Sequence, residues 1–448
     1  METIATITGG ADSSPQRSEG WHAIRAKSFG GSESAKLFSD AGIAELIRKK
    51  LGFGEQFTGN MATRWGTVFE PMCSELARIL HGIPAVYECG SVPGPIAAQR
   101  YSPDGFGLVG ATRAELARIE KMTAVGSDGD SEEKKTDSAA TTAVATAIPI
   151  LFEFKCPWSR VPKRSCVPPA YIKQIQTGLA CMDEIHYASF LDAVFRVCTE
   201  SQLKAQDLSF CDHIHNGRGV VPEAESGKFV KKGAPGMSGV LQIKIAEKFD
   251  VAVAMAKKRS EREFAHESLH DMTYTLAQLW REHGLNSDTF DLVLQRVCSG
   301  DYKIKYISDN SNLVPIYGES PEQTLISDVE TSERVVKKPL SKILQLIERD
   351  RGAFTDSTNC RIAYIPFKLL NYEQVRVSRE AGYKAAMIAR VTAAAARLEE
   401  VSKYFAQHGA DATERKFFAA KMGEKVPVLE DDSDLEDEDS DSDDSDSE

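Results

Sequence analysis

The sequence contains no run of 18 or more apolar residues, so no stretch has the length a membrane-spanning helix requires. Its nine cysteines are scattered without regular spacing, which argues against a disulfide framework and for reduced thiols. The first ten residues, METIATITGG, lack a basic segment followed by an apolar stretch, so no secretory signal is read and an intracellular location is expected. No internal repeat is evident, which excludes solenoid architectures. Net basic charge is missing too: the formal net charge is -12, which at first sight opposes binding to a polyanion.

The charge is unevenly spread. Thirteen of the 66 acidic residues lie between Glu430 and Glu448, where there is no Lys or Arg, leaving 53 acidic against 54 basic groups elsewhere. The body is therefore nearly neutral, and a local basic patch remains compatible with the total. The acidic end reads as a disordered polyanion whose serines suit phosphorylation. Its charge could compete with nucleic acid or recruit a basic partner.

A second polar stretch, Gly126 to Ala147, is rich in Ser, Thr, Ala and charge and has few large apolar residues, so it is expected to be a disordered insertion. Residues 1–18 read as a disordered leader. Between these segments the periodicity predicts helices over Ser32 to Lys50, with a break near Asp40 to Gly42, and over Thr63 to Leu80, where Val68, Phe69, Met72, Leu76 and Ile79 recur at three- and four-residue spacing. Glu88 to Gln99 reads as a strand and turn. Ile148 to Phe154 and Tyr187 to Cys198 read as buried strands, with a helix from Tyr171 to Cys181 opened by Pro168-Pro169. Helices are expected over 245–260, 270–283 and 335–350, a strand over Arg361 to Leu369, and one or two long helices over Tyr372 to His408.

Strand Leu151 to Pro157 carries the most informative chemistry. Side chains two apart on a strand share a face, so Glu153 and Lys155 project together while Phe152, Phe154 and Cys156 turn to the core. A carboxylate there suits a hard divalent cation, and the ammonium can position or help deprotonate an attacking water. Alone this is a common pattern of exposed strands. Upstream, Ser102-Pro103-Asp104-Gly105 is a turn cluster able to present Asp104 at a strand end.

Taken with three further motifs in order, these segments resemble the lambda exonuclease and YqaJ-type viral recombinase family of PD-(D/E)xK nucleases, with herpesvirus alkaline nucleases as more distant relatives. The further motifs are Trp21-His22-Ala23-Ile24-Arg25 with Gly31-Ser32-Glu33, Arg64-Trp65-Gly66 with Glu70, and Ala170-Tyr171 with Gln174 and Gln176. The resemblance covers about Trp21 to Cys198 and resumes from Arg361 to about Leu398.

It implies an α/β fold with a restriction-endonuclease-like core, a mixed sheet flanked by helices, carrying a large helical insertion. The implied organisation is a nuclease core over 19–198 and 359–410, an inserted subdomain of unassigned role over 200–358 and an acidic disordered tail over 411–448. The implied activity is Mg²⁺-dependent 5′-to-3′ digestion of linear double-stranded DNA ends, releasing 5′-phosphate nucleotides in viral-type recombination or DNA processing, with Mn²⁺ as substitute metal. In that scheme Asp104, Glu153, Glu70 and the backbone carbonyl of Phe154 hold metal, Lys155 contacts the nucleophilic water, Gln174 orients water or lysine, and Arg25, Ser32 and Ser102 bind the terminal 5′-phosphate. Implied partners are DNA ends, a single-strand annealing protein and further copies of the chain as a trimer. A viral origin would place the protein in the host nucleus or cytoplasm. One departure stands out: 48 residues separate Asp104 from Glu153, where the family uses a short connection.

Rival readings are a structure-specific endonuclease on the same fold and a zinc metalloprotease. His266-Glu267-Ser268-Leu269-His270 matches H-E-x-x-H, but no third ligand at metzincin spacing follows and the flanks are not those of an apolar buried helix. Cys211, His213 and His215, even with Cys198, lack a paired ligand set at finger-like spacing.

Overall fold

The computed structural model describes residues 18–54, 59–111, 116–117, 119, 147–158, 162–197, 200–205, 237–245, 287–310, 313, 335–350 and 361–418. The expected disordered insertion apart from its last residue, the leader apart from Ser18, the helix 245–260 apart from Ile245, which ends a strand, the helix 270–283, the H-E-x-x-H segment, the Cys211/His213/His215 string and the tail beyond 418 lie outside the described residues.

The described residues open with α1 (Glu19–Lys27), a 3₁₀ turn (Gly31–Glu33), α2 (Ser34–Leu37) and α3 (Asp40–Lys50). The break expected near Asp40 falls just before it, because Ser39 caps α3 through its hydroxyl, which accepts from Gly42 N. Helix α4 (Met61–His81) follows, started by a reciprocal cap in which Asn60 Oδ1 accepts from Thr63 N and Thr63 Oγ1 accepts from Asn60 N, each at 2.9 Å. The short strands β1 (Val92–Pro93) and β2 (Arg100–Tyr101) pair antiparallel, so the strand expected over Glu88 to Gln99 shrinks to two residues.

Among the described residues the main sheet has seven strands in the order β3 (Gly105–Gly110), β4 (Ala147–Lys155), β5 (Tyr187–Val197), β9 (Arg361–Ser378), β6 (Ser238–Ile245), β7 (Lys303–Asp309) and β8 (Val335–Lys337). β3 and β4 are antiparallel, whereas β4 and β5 are parallel and joined through α5 (Pro169–Cys181), as a crossover requires. This is the α/β fold with a mixed sheet flanked by helices that the sequence led us to expect.

The described parts of 200–358 are α6 (Glu200–Ala205), β6, α7 (Ser287–Cys298), β7, β8 and α8 (Leu340–Asp350). They do not stand apart from the core: β6 pairs along β9 from Ser238↔Lys368 to Ile245↔Arg361, so they widen the same sheet, and they are not wholly helical. Residues 335–337, expected to be helical, form the edge strand β8 ahead of α8.

Strand β9 corrects another expectation. Tyr372–Ser378 is strand and not helix, because Tyr372, Val375 and Val377 supply β-favouring side chains that pair in register with Ala193, Phe190 and Ala188. The Ala-rich helix α9 (Tyr383–Phe417) begins only after Gly382, whose φ of 82° makes the turn, and runs past residue 411, where the tail was expected to start.

Each face of the sheet has its own core. On one, α4 packs Trp65, Val68, Phe69, Met72, Leu76 and Leu80 against Phe152, Phe154, Phe195 and Phe367. On the other, Tyr171, Ile175 and Leu179 of α5 cover Leu151, Ala188 and Phe190. Fully burying a large apolar side chain contributes about 1.5–3 kcal/mol, so α4 anchors the sheet strongly. A third cluster joins Phe29, Leu37, Leu46 and Ile47 to Met387 and Val391 of α9.

Candidate active site

The 48-residue separation of the two carboxylates is closed by strand register. The β3–β4 ladder runs from Gly110↔Ala147 to Gly105↔Phe152, which sets the next residue, Asp104, across from Glu153. Pro103 has no N–H to extend the ladder, and the Asp104 side chain takes over: its Oδ2 accepts from Phe154 N at 2.7 Å. Residues 111–146 therefore leave and re-enter the sheet at paired positions, and the connection lengthens without parting the carboxylates.

Glu153 lies fully buried at the centre. Its Oε1 accepts from Gln174 Nε2 at 2.7 Å and pairs with Lys155 Nζ at 2.9 Å, while its Oε2 accepts from Tyr101 Oη at 2.8 Å. The Lys155 ammonium also lies 4.5 Å from the centre of the Tyr171 ring. Strand alternation accounts for this gathering. Leu151, Glu153 and Lys155 face α5, which carries Tyr171 and Gln174, while Phe152, Phe154 and Cys156 join the opposite core.

The electrostatics are those of crowded negative charge around one cation. Burial pushes the Asp104 carboxyl well above the usual carboxylate range, and the charges of Glu153 and Glu70 push it further, against the pull of Lys155 and the Phe154 N–H. Burial, the largest single influence, would lower Lys155, but Glu153, Tyr171 and Asp104 together outweigh it and the ammonium is held above its ordinary value. Tyr101 is pushed well up by burial and then by Glu153 and Asp104, so its hydroxyl stays protonated and able to donate.

Asp104, Glu153, Lys155, Gln174 and the Phe154 backbone are thus brought together. Glu70, on α4, reaches Asp104 through its charge. Among the described residues no group of three or more His, Cys, Asp or Glu side chains is gathered so as to hold a metal ion, so the described carboxylates form a pair with Glu70 close by. Gln176 belongs elsewhere: its amide donates to Ser378 O and accepts from Glu380 N, fastening α5 to the end of β9. Trp65 is fully buried in the core under α4.

The three residues expected to bind phosphate are linked around Trp21. Arg25 Nη2 donates to Ser32 Oγ at 3.0 Å, the guanidinium lies 4.6 Å from the Trp21 ring centre, and Trp21 Nε1 donates to Ser102 Oγ at 3.0 Å. Beneath the turn, buried Lys50 donates to Arg25 O, Ser28 O and Glu33 Oε1 at 2.8–3.0 Å, and Glu33 Oε2 accepts from Gly30 N. The sequence reading missed Tyr101 and Lys50. Tyr101's position beside Ser102-Pro103-Asp104 is a signal that could have found it, whereas nothing in the sequence marks Lys50.

Fold and site together define a mixed α/β protein with an acid, acid–lysine constellation at the end of a β-hairpin. No family model matches the chain. It is similar to a protein of African swine fever virus: 30% identical over 231 residues in the Badajoz 1971 Vero-adapted strain and over 238 in the Pretoriuskop tick isolate, in each case 50% of this chain and 62% of the relative. The counterpart in the Malawi tick isolate is 30% identical over 216 residues, 45% of this chain and 56% of the relative. The chain thus spans less than two thirds of the curated relatives it matches.

Among solved structures, the chain is similar to an alkaline exonuclease (LHK-Exo) from Laribacter hongkongensis, 26% identical with a TM-score of 0.26, covering 40% of this chain and 74% of that one. The same protein in complex with dAMP gives a TM-score of 0.25 at 26% identity, covering 39% and 73%. Likenesses this loose carry no weight in assigning a function.

Proposed function

We propose that this chain is a Mg²⁺-dependent DNA exonuclease acting 5′-to-3′ on linear double-stranded ends and releasing 5′-phosphate nucleotides. The observation that carries the reading is the register that sets Asp104 across from Glu153, with Lys155 and Gln174 on the same carboxylate. The donor types fit a hard cation: Asp104 and Glu153 are carboxylates, the Phe154 carbonyl is a third candidate ligand, and crowding by Glu153 and Glu70 is what a divalent charge relieves. Mg²⁺ commonly binds through one or two carboxylates and keeps several waters, so a pair would suffice, with Glu70 assigned to those waters and Mn²⁺ as a substitute. When bound, the metal supplies Lewis-acid polarisation of the phosphate and a more acidic water.

The chain's own residues supply the rest. Gln174 fixes the rotamer of Glu153. Lys155, held protonated by its carboxylate neighbour, orients the attacking water and stabilises charge developing on phosphate; as an ammonium it is not the base. Arg25, Ser32 and Ser102 offer a guanidinium and two hydroxyls to a terminal 5′-phosphate. Such a pocket favours duplex ends over internal positions, and the role extends to viral-type recombination beside a single-strand annealing protein, with the chain in a trimer.

The test is digestion of linear duplexes with and without a 5′-phosphate, in Mg²⁺ and in EDTA, by the wild type and Lys155→Ala, with circular duplex alongside. Expected are Mg²⁺-dependent release of 5′-mononucleotides, preference for phosphorylated ends, resistance of the circle, and loss of rate on the order of a hundredfold or more in the variant. Equal activity of the two proteins would overturn the mechanism. Cleavage of the circle would favour the endonuclease.

A further inference from the structure

Tyr101 lies in none of the proposed catalytic roles, yet it touches both halves of the site. Its hydroxyl donates to Glu153 Oε2 at 2.8 Å, and the residue is 1% exposed. Its ring is gripped between two glycines. A Cβ built on Gly31 would meet Tyr101 Cδ2 and Cε2 at 2.5 Å, and one on Gly178 of α5 would meet its Cζ at 2.6 Å. Real Cβ atoms do not approach so closely, so Gly31 accepts only glycine unless the ring moves, and at Gly178 Leu151 Cδ2, 2.8 Å from such a Cβ, would have to move as well.

Gly31 immediately precedes Ser32, which accepts from Arg25. The backbone ties the same turn to the strand that carries Tyr101, because Phe29 N donates to Ala98 O at 2.7 Å and Arg100 N donates to Phe29 O at 3.1 Å. A Cβ on Gly31 would also lie 3.5 Å from Cγ of Gln174, the other donor to Glu153. The turn bearing the candidate phosphate group is therefore packed directly on the two side chains that orient the carboxylate.

We propose that Tyr101 is a positioning residue that fixes Glu153 through its hydroxyl and, wedged by its ring between Gly31 and Gly178, couples the Gly30–Ser32 turn to that carboxylate. Engagement of a DNA end by the turn and correct orientation of Glu153 then become one event. The proposal rests on the nuclease reading above.

Tyr101→Phe keeps the ring and removes the hydrogen bond, and Gly31→Ala displaces the ring while leaving Arg25 and Ser32 in the sequence. A hydrogen bond to a charged group is worth enough that Tyr101→Phe should lower kcat by about tenfold or more. KM for the duplex should stay within about twofold, because the variant loses no DNA contact, and the Mg²⁺ concentration for half-maximal rate should rise. Gly31→Ala should lower kcat similarly. In the double variant the two losses should fail to multiply, since both act on one hydrogen bond.

Unchanged kcat and Mg²⁺ requirement in Tyr101→Phe would overturn the positioning role, and multiplicative losses in the double variant would overturn the coupling. If Gly31→Ala does not fold, Gly178→Ala probes the other side of the ring in the same cycle, and Tyr101→Phe alone still decides the first claim. An inactive wild type, or Lys155→Ala equal to wild type, defeats the nuclease reading itself. An active wild type, a dead Lys155→Ala and an unaffected Tyr101→Phe defeat only this inference.

Discussion

Acid should loosen this protein through one histidine. His81 ends α4 and is 4% exposed, with its Nε2 3.1 Å from Ser189 Oγ and in contact with the Gln374 amide. Gln374 Nε2 also donates to Ser189 Oγ at 2.9 Å, so the ring nitrogen facing it acts as acceptor and the ring is neutral. Burial, aided by the nearby Arg376 charge, lowers the His81 pKa from 6.5 to about 4. The unfolded chain takes up this proton first. The stability is therefore complete above about pH 6.5 and is lost as pH falls towards 4. A shift of that size corresponds to about 3 kcal/mol at 1.36 kcal/mol per unit. Urea unfolding of wild type and His81→Gln at intervals from pH 7.5 to 4 isolates it: the stability lost across that range should be larger in the wild type by about that amount. Identical slopes would refute the assignment. His81 lies 5.2 Å from Phe152, one residue before Glu153, so its protonation strikes the strand that carries the site.

Other expectations follow from the same geometry. Asp104→Asn removes a crowded charge, so thermal unfolding in EDTA should shift upward while Mg²⁺-dependent cleavage disappears; a lower midpoint would contradict the crowding. Phe69→Ala, at a fully buried position stacked 5.3 Å from Phe195, should cost about 3–5 kcal/mol in denaturant unfolding. Arg25→Ala should reduce the rate ratio between 5′-phosphorylated and 5′-hydroxyl ends while leaving slow cleavage of the hydroxyl end unchanged.

Much of this arrangement is legible in the sequence because period and chemistry coincide in single segments. Alternation from Leu151 to Cys156 sorts Glu153 and Lys155 from the Phe residues, and the spacing of Val68, Phe69, Met72 and Leu76 marks the buried stripe of α4. Register is not legible, since nothing local in residues 105–110 reveals that they pair with 147–152. The end of β9 reads wrongly because Arg, Glu and Gln at 373–376 suit a helix surface, whereas pairing with β5 decides the outcome. The opacity of 200–358 has the same cause: β6 and β7 are defined by partners distant in the chain. Tyr101 escapes notice because an aromatic beside a turn reads as packing, and its role lies in a hydroxyl whose acceptor is 52 residues away.

Register also predicts what the long connection can lose. Residues 111–146 join Gly110 to Ala147, which are paired, so the ladder itself holds the ends of the connection together. Leu116 and Ile119 pack on the core and should be kept, but 122–145 can be removed without touching a described contact of the site. Removing 122–145 shortens the connection from 36 residues to 12, and the variant should fold with at least wild-type stability, since a shorter loop costs less to close. Asp104 should remain across from Glu153, so the deletion variant should retain wild-type kcat and its Mg²⁺ requirement. A variant that folds with equal or greater stability yet loses cleavage would show that the removed segment lies on the substrate's path.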